Sequence, residues 1–182
     1  MNQLSVQEGQ TLLQLARQTL DNYFTKQQIK LNNLPQGLFS QRGTFVTLRK
    51  QGELRGCIGL VESDQPLYQS VCQMALEAAL ADPRFWPLEK EEVKDIKIEI
   101  SVLTKPQKIN SAKEIKLGID GVIVKKGGCR GVFLPQVAKE TGWSLAEFMD
   151  HLCADKAGLS AEAWQAGDCK IYTFQVQIFE EK

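Results

Sequence analysis

The sequence predicts an α+β fold, a mostly antiparallel sheet with packed helices in one domain spanning residues 1–182. Three observations carry this. Strand-like runs outnumber the helices between them, they arrive mostly as hairpins, and short glycine-containing loops join them. The 182 residues, 43% of them hydrophobic, suffice for a full core in one domain with room for two lobes.

Residues 7 to 27 place Leu12, Leu13, Ala16, Leu20, Tyr23 and Phe24 at helical spacing, which predicts an amphipathic helix. The polar link NNLPQG (32–37) follows. GTFVTLRK (43–50) alternates, with Phe45 and Thr47 on one side and Val46 and Leu48 on the other. Lys50-Gln51-Gly52 then turns the chain into ELRGCIGLV (53–61), an antiparallel hairpin. Asp64, Gln65 and Pro66 open a second helix over 67–80, apolar on nearly every side and therefore central. Pro83 disfavours helical geometry before it, and DPRFWPLEKEE (82–92) reads as a structured turn region.

DIKIEISVLT (95–104) puts Ile96, Ile98, Ile100 and Val102 on a covered face and Lys97, Glu99 and Ser101 on the other. GVIVKK and RGVFLP, joined by Gly127-Gly128-Cys129, give a further hairpin. LPQVAKETG, SLAEFMDHLCADKAG and SAEAW are helical pieces, with Ser144 and Ser160 as caps and Gly142 and Gly158 as stops. KIYTFQVQIFE (170–180) closes the chain as a strand with Tyr172, Phe174, Val176 and Ile178 on one face.

Lys plus Arg equals Asp plus Glu at 22 each, which leaves no electrostatic footprint for nucleic acid or an anionic membrane. No apolar run reaches membrane-spanning length, and MNQLSVQEGQ carries no export signal. The five cysteines are scattered, so reduced thiols in the cytoplasm are expected.

The strand around Cys57 is the main candidate site. Strand alternation sets Arg55, Cys57 and Gly59 on one face, with Leu54, Gly56, Ile58 and Leu60 toward the core. Arg55 and Cys57 are then about 6 to 7 Å apart along the backbone. A charge about 6 Å from a thiol is worth roughly 0.7 kcal/mol in water-like surroundings and nearly 3 kcal/mol at an effective dielectric of about 20. The second case lowers a thiol pKa by about two units, so a partly closed cleft would activate Cys57 and an open surface would not. The glycines beside Cys57 leave room for a ligand or another backbone. Residue chemistry alone favours a packed thiol, because no base adjoins it in sequence.

LRGCIG (54–59), FVTL (45–48), ALADPRF (79–85), ISVL (100–103), GIDGVIV (118–124) and LPQVA (134–138), in this order, resemble the AMME syndrome candidate protein family, the AMMECR domain. HLCADKAGL with the later AW (151–164) resembles its prokaryotic branch. The resemblance implies a two-lobed α+β fold with the LRGCIG strand near the cleft between lobes. It makes Arg55 and Cys57 candidate catalytic residues, and Gly56, Gly59, Asp82 and Arg84 candidate binding residues. It also implies a shared pathway with a Memo-like protein and a radical S-adenosylmethionine enzyme. It fixes no reaction and no cofactor. Two functions stay open: an enzyme or enzyme subunit using Cys57 as nucleophile or covalent carrier, and a non-catalytic adaptor whose sextet shapes a groove.

Other residues read more simply. Asp82 and Arg84 could wall a cleft, and a helix stop with its charges tying down a turn is the simpler account. His151, the only histidine, fits a helix-surface or packing role. The cysteines contain no close pair of the kind zinc requires, so no metal is expected. KKGGCRG (125–131) lacks the order of a phosphate loop and reads as a hairpin tip. Glu99 fits a solvated sheet face.

Overall fold

The computed structural model describes residues 3–27 and 33–182; Asn32, at the head of the predicted link, lies outside the described residues. In chain order the elements are α1 (Val6–Thr25), β1 (Thr44–Lys50), β2 (Glu53–Leu60), α2 (Leu67–Leu80), β3 (Ile96–Leu103) and β4 (Gln107–Ile109). Then come β5 (Gly121–Lys126), β6 (Cys129–Phe133), α3 (Pro135–Thr141), α4 (Leu145–His151), β7 (Lys170–Phe174) and β8 (Val176–Glu180). Two compact units result. One joins the chain up to Leu103 with Gln177–Lys182; the other is Thr104–Val176.

In the first unit α1 starts at a capping box. The Ser5 hydroxyl accepts from the Glu8 backbone N–H, and the Glu8 carboxylate accepts from that of Ser5. β1 and β2 form the predicted antiparallel hairpin, and β3 pairs antiparallel with the other side of β1. Gln51 and Gly52 both have positive φ, 53° and 88°. That is the two-residue turn whose twist matches the strands it joins. β8 completes the sheet in the order β2-β1-β3-β8, leaving β2 at an edge. Val46, Leu48, Ile98 and Ile100 pack with Leu12 and Leu20 of α1 and with Leu67, Val71, Met74 and Ala78 of α2. The almost wholly apolar α2 is central, as its composition predicts. Each fully buried Leu or Ile contributes roughly 1.5–3 kcal/mol.

The second unit carries a separate sheet in the order β4-β7-β5-β6, so the strands divide between two four-stranded sheets. Its core gathers Val122, Val124, Phe133, Phe148, Met149 and Leu152. Ser144 caps α4 through a capping box with Glu147, whereas Ser160 occupies a cap position without a side-chain bond. Gly142 closes α3 at φ 66°. Cys129 belongs to β6 opposite Lys126, so the β5–β6 loop is only Gly127-Gly128. The closing strand is not continuous. Thr104 and Gln175 exchange bonds, the Gln175 N–H to the Thr104 hydroxyl and the Thr104 N–H to the Gln175 carbonyl, both at 2.9 Å. The chain breaks there into β7 in one sheet and β8 in the other.

Candidate functional site

The LRGCIG strand is β2, and it is irregular at one residue. Register pairs Arg49 with Leu54 and Leu48 with Gly56, which leaves Arg55 without a partner, a bulge. This overturns the expectation that Arg55 shares a face with Cys57. The Arg55 guanidinium instead grips Glu92 with Nε at 3.2 Å and Nη2 at 2.9 Å, while Nη1 donates to the Trp86 carbonyl at 3.0 Å. Lys50 Nζ donates to the same carboxylate at 2.8 Å, and the Glu89 N–H adds a fourth hydrogen bond. Hydrogen bonds from Arg55 and then Lys50 lower the Glu92 pKa to about 2. Arg55 therefore fastens the segment after α2 to the hairpin.

A second fastening lies at Cys57 itself. On an edge strand, alternate residues turn their N–H and C=O away from the neighbouring strand. At Cys57 those groups are taken by the two residues beyond α2. Its N–H donates to Asp82 Oδ2 at 2.8 Å, and its carbonyl accepts from Arg84 Nη2 at 3.2 Å. Asp82, only 4% exposed, also receives the Arg84 Nε at 2.9 Å and Nη2 at 2.7 Å. The Arg84 guanidinium, foremost, holds the Asp82 carboxyl well below the usual carboxylate range. The reading of Asp82 and Arg84 as a tied-down turn is thus extended, because the pair also shields an open strand edge from other chains.

The Cys57 thiol is half-buried and accepts a hydrogen bond from the Thr47 hydroxyl at 3.3 Å across the β1–β2 pair. Arg84 reaches the same residue through its backbone carbonyl. The cation bonded to Cys57 is therefore Arg84 rather than Arg55, and it is paired with Asp82. Glu99 is opposite Thr47 on β3, so Cys57, Thr47 and Glu99 form one cross-strand row. Gly56 is fixed by packing, since a Cβ there would drive into the Ala78 carbonyl oxygen of α2. Gly59 makes room for the Phe45 ring. Leu54 and Leu60 are 36% and 40% exposed, so these two leucines do not face the core; Gly56 and Ile58 do.

Sequence reasoning passed over Thr47, Lys50, Trp86 and Glu92. Thr47 and Lys50 carry the alternation of β1, and Glu92 sits in a short acidic run, so none stands out by spacing. Trp86 does carry a signal, a large aromatic between two charged-proline segments, and it is 88% exposed. His151 stacks on Trp143 with ring centroids 4.0 Å apart and bonds Asp155 at 2.7 Å, a surface arrangement. Burial raises the thiols of Cys72, Cys153 and Cys169, Cys153 to about 11. Among the described residues, no three His, Cys, Asp or Glu side chains group as metal ligands, and no helix is long and apolar enough to cross a membrane.

The family described as AMMECR1 matches residues 13–179. Protein MJ0810 of Methanocaldococcus jannaschii is 42% identical, covering 100% of this chain and 94% of the relative. Protein MK0488 of Methanopyrus kandleri is 43% identical over 98% of this chain and 91% of its own length. The crystal structure of uncharacterized protein PH0010 from Pyrococcus horikoshii superposes with a TM-score of 0.83 at 38% identity, covering 97% of this chain and 92% of that one.

Proposed function

The chain belongs to the AMMECR1 family, and from that premise we propose that it works as a non-catalytic binding module. The loop fastened to the LRGCIG strand is the surface it presents to a partner protein. One observation carries this. The polar groups of Arg55, Asp82 and Glu92, and the backbone of Cys57, are spent on fixing residues 82–92, at whose tip Trp86 stands 88% exposed. Large aromatics held on rigid supports are the residues that dominate binding energy at protein interfaces. Arg84, the cation bonded to the Cys57 backbone, is itself held by Asp82 through two hydrogen bonds. The partners implied by the family resemblance are a Memo-like protein and a radical S-adenosylmethionine enzyme.

A second reading keeps Cys57 as nucleophile and is favoured by the Thr47 hydroxyl donating to a half-buried sulfur. Affinity capture of both partners with the purified chain separates the two. Under the binding reading, Trp86→Ala weakens capture at least about tenfold, the size of an interface hot spot. Cys57→Ser leaves it within about twofold. Loss of cellular function with Cys57→Ser, in a protein that folds and still captures its partners, establishes the enzymatic reading instead.

A further inference from the structure

The second unit holds a hollow of about 430 Å³ built from residues remote in sequence from the Cys57 strand. That volume lies within the roughly 300–1,000 Å³ of small-molecule sites. Register brings Ile109 of β4 opposite Ile171 of β7, and both side chains line it. Trp164 forms another wall, its orientation fixed because Nε1 donates to Asp150 Oδ1 at 2.7 Å.

The mouth is polar and rigid. The Asn110 and Ser111 N–H groups donate to Glu114 Oε1 at 2.9 and 3.0 Å, which fixes one lip. The Cys169 N–H bonds the Ala166 carbonyl at 3.0 Å, which fixes the other. Asn110 and Gln165, both exposed, bring a carboxamide to each lip. None of the residues lining the hollow is Asp, Glu, Lys or Arg. The Glu114 carboxylate at the lip is already taken up by the Asn110 and Ser111 N–H groups, and with no charged side chain in the lining an uncharged occupant fits best. A carboxamide offers a donor and an acceptor side by side, the complement of another amide-type edge. An indole wall favours a flat ring over a branched aliphatic one.

We propose that this hollow binds an uncharged planar heterocycle with an amide-type donor–acceptor edge, the chemistry shared by a pyrimidine base and a nicotinamide ring. The heterocycle stacks on Trp164, and its edge meets Asn110 and Gln165. The test uses the whole chain with Trp86→Phe and Trp143→Phe, so that Trp164 alone reports. Uridine and nicotinamide are titrated, with cyclohexylmethanol as the aliphatic control. Tryptophan emission and the rate of maleimide labelling at Cys169, resolved by mass spectrometry, are followed together.

Saturable quenching by either heterocycle with slowed Cys169 labelling is the expected result. Asn110→Ala with Gln165→Ala, both at exposed positions that the fold does not need, then weakens binding about tenfold. Three outcomes overturn the proposal. They are no response to either heterocycle at about 10 mM, far above the affinity of a useful site; an equal response to the aliphatic control; and binding unchanged in the double variant.

Discussion

Glu92→Gln tests whether Arg55 is a fastener. The Glu92 carboxyl titrates near 4.5 when unperturbed and near 2 in the folded chain. At 1.36 kcal/mol per pKa unit, this difference is worth about 3 kcal/mol at neutral pH. The side chain is 19% exposed, so solvent screens little of it. A depressed folded pKa gives stability that is complete above the unfolded value and lost as pH falls through the folded one. The contribution is therefore about 3 kcal/mol at pH 7, about 1 kcal/mol at pH 3, and close to nothing below pH 2. Urea unfolding of wild type and Glu92→Gln at pH 7 and pH 3 measures it. Asp82 titrates in both proteins and cancels in the difference. The gap should narrow by about two-thirds on acidification. A gap under about 0.5 kcal/mol at pH 7, or one of equal size at both pH values, refutes the assignment of Arg55 to Glu92.

Two further substitutions probe the strand and its turn. Gly56→Ala pushes a methyl against the Ala78 carbonyl oxygen, where α2 backbone cannot yield cheaply, and should lower unfolding free energy by about 3 kcal/mol. Gly128→Ala, which meets nothing within 4 Å, is the control and should stay within about 0.5 kcal/mol by the same chemical denaturation. Gln51→Asn places a residue tolerant of positive φ before Gly52 and should raise the melting temperature, gaining about 0.5 kcal/mol. An unchanged or lower value counts against the turn geometry.

The elements were largely legible in the sequence, because their signals are local. α2 declares itself by a nearly unbroken apolar surface behind Pro66, and α4 by Ser144 with Glu147 three residues on. The Cys57 region was legible as a place and misread as a geometry. Alternation counted outward from Gln51-Gly52 puts Thr47 opposite Gly56, but the extra residue at Arg55 moves Thr47 opposite Cys57. A single unpaired residue leaves no trace in hydrophobic spacing, yet it decides which side chains meet Cys57. The break at Gln175 is hidden in the same way. Tyr172, Phe174, Val176 and Ile178 alternate straight through it, and the interruption comes from Thr104, seventy-one residues away in sequence. β4 escapes for a plainer reason, since three residues are too few to show a period.

The division of the chain also sets an order of events during synthesis. The N-terminal unit takes its outermost strand, and the Arg17–Glu181 ion pair, from residues made only after the whole of the second unit. Until β8 is made, β3 has an unprotected flank, and the nascent first half must wait with that flank open.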